Sequence, residues 1–251
     1  MHDLEPILYF LDRTLDVPGF PDYPQALNGL QVEGSGTVQR VAGAVDASEQ
    51  VIHEAVRKGA GLLVVHHGLF WDGLGPLTGP RFRKVAALIQ GGVALYSAHL
   101  PLDAHPELGN CALLTRRLGL IPDGPFGSFK EVQVGCVATA SLGRGELLER
   151  LREAVEGEAR LIPGGPEEVS RIGVLTGSGA SALTEAAEMG LDTLVTGEVP
   201  HHVYHQAMEL GLNVLLGGHY ATETFGVKAV AELLGREFSL EWEFLHFPTG
   251  L

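Results

Sequence analysis

The sequence predicts an α/β fold built as two similar α/β halves with mixed sheets. Short, wholly apolar runs such as Leu62-Leu63-Val64-Val65 have the composition of strands covered on both faces. Helix-like segments that stop at glycine precede such runs again and again. The chain of 251 residues is 45 % hydrophobic and 19 % charged, which gives a globular core and excludes a disordered chain.

Apolar positions Leu4, Ile7, Leu8 and Leu11 recur at helical spacing and predict a helix over Leu4–Leu15. Three prolines between Val17 and Pro24 then remove donors and fix φ, so no regular element is expected there. Asn28–Val32 and Arg40–Val45 read as strands. Ser48–Lys58 reads as a helix, with Ser48 as its N-cap and Gly59 as its stop. Strand Leu62–Val65, helix Lys84–Gln90, Gly91-Gly92 and strand Val93–Ser97 follow.

The second half repeats this grammar. Helix Leu183–Met189 stops at Gly190 before strand Leu191–Val195, and helix Val203–Leu210 stops at Gly211 before strand Leu212–Leu216. Laying Gly59 on Gly190 places His66-His67 on Gly197-Glu198. Laying Gly92 on Gly211 places Asp103-Ala104 on Thr222-Glu223. These matches predict halves at residues 1–124 and 125–251, divided at the Pro/Gly-rich segment Pro122-Asp123-Gly124-Pro125 and enclosing a cleft.

The formal net charge of −14 repels phosphate backbones and anionic lipid, which disfavours a nucleic-acid or membrane-surface partner. A small anionic substrate held locally by cations remains compatible with it. No apolar run approaches the ~18 residues of a membrane span. The first residues carry acids where a signal peptide carries bases, so a cytoplasmic protein is expected. Cys111 and Cys136 are too few for a disulfide framework and too far apart for a Cys-x-x-Cys pair.

Polar groups beyond the C-terminal ends of buried strands are where α/β proteins build their sites. Three such places stand out: His66-His67-Gly68, His99-Leu100-Pro101-Leu102-Asp103, and His219 with Glu223 at i and i+4. Successive strand residues point to opposite sides, so His66 and His67 do not easily serve one ion in the same way but could each serve one of two adjacent ions. Imidazole nitrogen and carboxylate oxygen suit divalent zinc, manganese or iron, and a carboxylate can bridge two ions. One Asp, one Glu and three neutral His around two such ions leave roughly +2 of charge, which favours hydroxide or phosphate. Taken singly, each residue fits a capped strand end or a solvated acid better. Their joint placement at strand ends of both halves favours a dinuclear metal site in the cleft.

Other motifs are weaker. Gly177-Ser178-Gly179-Ala180-Ser181-Ala182 fits G-x-G-x-x-A after an apolar run, yet no Lys follows and Glu198 already belongs to a strand end. A tight βα turn is the better reading, and the turn helps hold an anion only if it faces the cleft. His201 and His205 form an i,i+4 pair without a third ligand. Phe70, Trp71 and Tyr220 lie beside the histidines and either wall the pocket or stack on a purine.

The stretches Asn28-Gly29-Leu30-Gln31-Val32, Val45-Asp46-Ala47-Ser48, Val64-Val65-His66-His67-Gly68-Leu69-Phe70-Trp71, Ala98-His99-Leu100-Pro101-Leu102-Asp103, Thr196-Gly197-Glu198 with His202, and Gly217-Gly218-His219-Tyr220-Ala221-Thr222-Glu223 resemble, in this order, the GTP cyclohydrolase 1 type 2 or Nif-three-like family. The resemblance spans nearly the whole chain. It implies two divalent ions per subunit, with His66 and Asp103 on one ion, His67 and His219 on the other, and Glu223 bridging. It also implies a ring-shaped homohexamer with the sites facing its cavity. The chain has Leu100 where the family commonly has Thr, and Glu198 where it often has Asp.

The expected function is a metal-dependent hydrolase acting on a nucleotide or related phosphorylated ring compound. His99 and His202 are the candidates for acid/base work or for orienting a ligand. The alternative is a ring-shaped, metal-dependent protein that binds a ligand, a single nucleic-acid strand or a metal-bearing cofactor without turnover.

Overall fold

A computed structural model describes residues 1–251. The chain forms β1 (His2–Asp3), α1 (Leu4–Thr14), β2 (Gly29–Val32), β3 (Thr37–Val38), β4 (Arg40–Asp46), α2 (Glu49–Arg57), β5 (Leu62–His67), α3 (Gly79–Gly91), β6 (Ala94–Ser97) and α4 (Leu100–Asp103). Next come α5 (Asn110–Arg117), β7 (Pro122–Phe129), β8 (Val132–Gly143), α6 (Arg144–Val155), β9 (Arg160–Pro163) and β10 (Glu168–Ser178). A single 3-10 turn leads into α7 (Leu183–Glu188), β11 (Thr193–Glu198), α8 (Val203–Leu210), β12 (Asn213–Leu216), α9 (His219–Thr222), α10 (Thr224–Glu237) and β13 (Glu241–Phe244). No helix is long and apolar enough to cross a membrane.

The chain folds as two compact units, each with its own sheet. Unit 1 is Met1–Leu102 with Gly226–Phe247. Its five-stranded sheet has the order β13-β4-β5-β6-β2, with β13, β4, β5 and β6 parallel and β2 antiparallel at the edge. Helix α2 shows how the sequence builds this unit. The Ser48 hydroxyl accepts from Val51 N at 3.2 Å, as expected of an N-cap, and Glu49 and Arg57 complement the helix dipole at its two ends. Its buried face, Val51, Ile52 and Ala55, joins Leu63, Val65, Leu88 and Leu95 in one core cluster. Burying each of the larger side chains contributes ~1.5–3 kcal/mol.

Unit 2 is Asp103–Phe225 with Pro248–Leu251. Its six-stranded sheet has the order β7-β8-β10-β11-β12-β9, in which β10, β11 and β12 are parallel. The parallel trios β4-β5-β6 and β10-β11-β12 carry the same order of strand, helix, strand, helix, strand and a short terminal helix. Gly92 and Gly211 close the corresponding helices α3 and α8 with φ of 65° and 70°. The repeat expected from the glycine-stopped helices is therefore present.

Three details differ from the expected pattern. Helix α3 starts at Gly79 instead of Lys84, because Pro80 in its first turn is preset for helical φ. Pro122–Pro125 is not a linker but the start of β7, an edge strand that pairs with β8 alone, where a proline costs no ladder bond to a second neighbour. Nor do the compact units divide at residue 124. Unit 1 ends at Leu102, α5 packs in unit 2, and the chain returns to unit 1 at Gly226 to add most of α10 and β13.

Candidate metal centre

In unit 1 the strand register sets the site. Asp46 of β4 pairs with His67 of β5, and Val65 of β5 pairs with Ser97 of β6, so the three C-terminal strand ends stand side by side. His66 is fully buried and its Nδ1 lies 3.0 Å from the carbonyl oxygen of Ala98. His67 Nδ1 lies 2.9 Å from Asp46 Oδ1, and His99 Nδ1 lies 2.9 Å from Asp22 Oδ1. Carbonyl and carboxylate oxygens only accept, so Nδ1 donates in all three rings, and Nε2 is the nitrogen each would offer to an ion. The three residues present ligand nitrogens within 4.8 Å of one another.

His66 and His67 do not diverge as strand alternation predicts. Their ring centroids are 4.8 Å apart. His67 is the last residue of β5, and its bond to Asp46 turns the ring out of the pleat. The Trp71 ring meets His67 and His99 edge-on, with centroids at 5.7 and 4.7 Å, and its buried Nε1 has no hydrogen-bond partner.

Asp22 comes from the proline-rich loop and is held from several sides. It accepts from Tyr23 N at 2.6 Å, Asn28 Nδ2 at 2.8 Å and Leu100 N at 3.0 Å, besides His99. Burial alone would raise its carboxyl pKa, but the His99, Asn28 and Tyr23 donors outweigh that and hold it below its ordinary value. Asn28 also accepts from His99 N at 2.8 Å, so one loop fixes both the ring and the backbone of His99.

In unit 2 the donors converge on the end of β10. Thr176 Oγ1 donates to Asp103 Oδ1 at 3.3 Å, and Asn110 Nδ2 donates to the same oxygen at 2.8 Å. The next residue, Gly177, has φ of +66°, and a Cβ built there would stand 2.1 Å from Glu223 Oε1 and 3.4 Å from His219 Nε2. Adjacent residues of one strand thus stand beside Asp103 and beside Glu223. His219, at the start of α9, holds Glu198 Oε1 at 2.9 Å through Nδ1 and Glu223 Oε2 at 3.2 Å through Nε2. Burial pushes the His219 pKa down, but Glu223 and then Glu198 overcome this and raise it to about 9.

The Gly177–Ala182 segment is accordingly no dinucleotide loop. Gly177 and Ser178 are still strand, Gly177 N donates to Thr222 Oγ1 at 3.1 Å, and the space a side chain would fill holds the Glu223 carboxylate. Cys111 and Cys136 are buried beside this region. Burial, reinforced by the Asp103 charge, pushes the Cys111 thiol pKa well up, and burial does the same for Cys136, so neither offers a thiolate.

His66, His67 and His99 are thus assembled in unit 1, and His219 meets Glu223 in unit 2, where Asp103 is held by Asn110 and Thr176. His202 is exposed at the edge of α8, and the rings of His201 and His205 lie at the surface with centroids 6.2 Å apart. Among the residues that hold the donors, Asp46 lies in one of the stretches that carry the resemblance, whereas Asp22, Asn110 and Thr176 lie outside them. Asp46 left a usable signal, an acid ending the strand beside the one that ends in His66-His67. Imidazoles whose Nδ1 atoms are held by oxygen acceptors, with buried carboxylates and no thiolate, fit a divalent transition ion.

Residues 2–249 match the Duf34/NIF3 (NGG1p interacting factor 3) family. The chain belongs to this family. A Deinococcus radiodurans protein named GTP cyclohydrolase 1 type 2 homolog is 44 % identical over 248 residues, covering 98 % of this chain and 93 % of that one. An Archaeoglobus fulgidus protein of the same name is 41 % identical over 251 residues, covering 99 % and 100 %. A Thermus thermophilus protein of known crystal structure superposes with a TM-score of 0.92 at 41 % identity, with both chains covered completely. Within the family pattern, Glu198 in place of Asp still reaches His219, and Leu100 in place of Thr contributes its backbone N–H to Asp22.

Proposed function

We propose that this chain is a dinuclear metal-dependent hydrolase acting on a nucleotide or a related phosphorylated ring compound. His66 and Asp103 would hold one ion, His67 and His219 the other, and Glu223 would bridge. The observation that carries the reading is the set of outer hydrogen bonds. Ala98 O, Asp46 and Glu198 accept from Nδ1 of His66, His67 and His219 respectively, so Nε2 is the nitrogen each ring would offer to an ion. The names of the relatives support the substrate class, since those proteins are called homologues of a GTP cyclohydrolase.

Two divalent ions, when bound, supply Lewis acidity and an activated water at neutral pH. The chain supplies the rest. Asp22 locks His99 with its proton on Nδ1, so Nε2 is the atom that accepts a proton during hydrolysis. Trp71 walls the same side and offers its Nε1–H to an acceptor on the substrate. Of the two histidines expected to move protons, His99 has this support, whereas His202 is exposed. We further propose a cytoplasmic homohexameric ring as the working assembly.

Elemental analysis after metal loading should find about two ions per chain, and His66→Ala with His67→Ala should remove both. Light scattering should give a mass near six chains. A broad nucleotide panel at saturating manganese or zinc should reveal turnover. Tight binding of one nucleotide with no turnover of any would instead establish a metal-dependent binder.

A further inference from the structure

We propose that the exposed face of α8 binds a copper(II) ion through His201 and His205, at a second metal site that shares no ligand with the candidate metal centre. The buried residues of α8 are Val203 and Ala207. Its opposite face, with Tyr204, His205 and Met208, is exposed, and so is His201 in the turn that leads into the helix. That turn is already joined to α8, because the His201 carbonyl oxygen accepts from Tyr204 N at 3.2 Å. His201 and His205 therefore stand one above the other, as residues four apart do on a helix.

The two ring centroids are 6.2 Å apart. Two nitrogen–metal bonds of ~2.0–2.1 Å, added to the ring radii, span about 6 Å. The rings thus already hold the separation of two imidazoles that share one ion. Tyr204 packs edge-on beside His205, with centroids 5.4 Å apart, and walls one side of the pair.

A third protein ligand is not required. Among divalent first-row ions copper(II) binds nitrogen sites most tightly, and it accepts a tetragonal set of nitrogen and oxygen donors in which water fills the remaining positions. Once one imidazole holds the ion, the other meets it as part of the same molecule, and such linkage is worth on the order of 10²–10⁴ in affinity. Charge acts in the same direction. The formal net charge of −14 draws cations to the surface, and Glu209 adds an exposed carboxylate one turn beyond His205.

The test uses the full chain carrying His66→Ala and His67→Ala, so that the candidate metal centre does not compete, and copper(II) as the probe. Calorimetry should find one copper per chain, and electron paramagnetic resonance should show coupling to two imidazole nitrogens. Adding His201→Gln or His205→Gln should weaken that binding on the order of a hundredfold, since each leaves a single imidazole. His202→Gln, at the neighbouring exposed residue, should leave it unchanged. Absence of copper from the folded background variant overturns the proposal. So does copper indifferent to His205→Gln, or weakened as much by His202→Gln. Should the background variant not fold, the wild type decides. Saturating copper should then broaden the ring protons of His201, His205 and Tyr204, and sharp His201 and His205 signals overturn the site. Neither result bears on the two-ion reading, whose ligands all lie elsewhere.

Discussion

Unit 1 and unit 2 place their donors beyond the same trio of parallel strands, yet they arm them differently. Unit 1 offers three imidazoles, each backed by an oxygen acceptor that fixes its tautomer. Unit 2 offers two carboxylates and one imidazole, and there His219 carries a proton between Glu198 and Glu223. One set is all imidazole, each ring held from behind by an oxygen. The other holds its own counter-charge, which an ion has to displace. A duplicated framework thus supplies position, while the residues just past the strands decide charge.

The largest effect that would break this comparison is expected at Glu223, the buried carboxylate proposed to bridge two ions. Glu223→Gln keeps its shape but removes a charge and a good donor oxygen, so both ions should bind more weakly. Excess manganese or zinc should restore occupancy without restoring turnover, because a ~1 Å misplacement can cost on the order of a hundredfold in rate. Metal content and steady-state turnover, measured on the same preparation, give the answer. Full turnover at restored occupancy would leave Glu223 as one donor among several.

A smaller effect should come from Gly177, where a Cβ would stand 2.1 Å from Glu223 Oε1. Gly177→Ala should push the carboxylate aside and lower metal affinity by roughly 10–100-fold, the range for disturbed support of a metal ligand. The same change also places alanine at positive φ, at a cost of ~1–2 kcal/mol. Gly190→Ala separates the two causes, since Gly190 has φ of +67° with nothing within 4 Å of the added Cβ. Isothermal titration with zinc should show affinity lost in Gly177→Ala and kept in Gly190→Ala. Glu223→Asp, by shortening the side chain, should recover part of the loss in the Gly177→Ala background. Equal losses in both glycine variants would reduce Gly177 to a backbone role.

The contrast between the units also explains what was legible in the sequence. Strands such as Leu62–His67 and helices such as Glu49–Arg57 announce themselves, because burial on both faces and the Ser48 cap act over a few neighbouring residues. His66, His67, Asp103, His219 and Glu223 could be read from their places after such strands. Asp22 could not, since it reaches His99 across 77 positions from a loop whose prolines suggest only irregularity. The division of the chain was hidden for a related reason. Helix α5 follows the first strand trio yet belongs to unit 2, and most of α10 follows the second trio yet belongs to unit 1. A linear boundary has no counterpart in a fold whose two repeats each give up the helix that follows them. The apparent linker at Pro122 is an edge strand, and prolines mark edges as readily as they mark linkers.

The smallest effect concerns the proton on His219 in the metal-free protein. Its folded pKa is raised to about 9 from the ordinary histidine value of 6.5, so the folded state binds that proton more tightly than the unfolded chain. The resulting stabilisation is fully present below pH 6.5 and is lost as pH rises through about 9. His219 is 29 % exposed at the side chain and Glu198 46 %, so solvent screening reduces the gain. A fall in melting temperature on the order of 2–4 °C between about pH 6 and about pH 9.5 is the expected size for a chain of this length. Glu223→Gln removes the stronger of the two partners and should flatten the slope more than Glu198→Gln does. Saturating zinc should flatten it too, because an ion in place of the proton leaves His219 nothing to titrate. Calorimetry on the chelator-treated protein, with the two variants in parallel, would read this directly. A wild-type slope shared unchanged by Glu223→Gln would trace the pH dependence to the net charge of −14 and leave the unit 2 donors uninvolved.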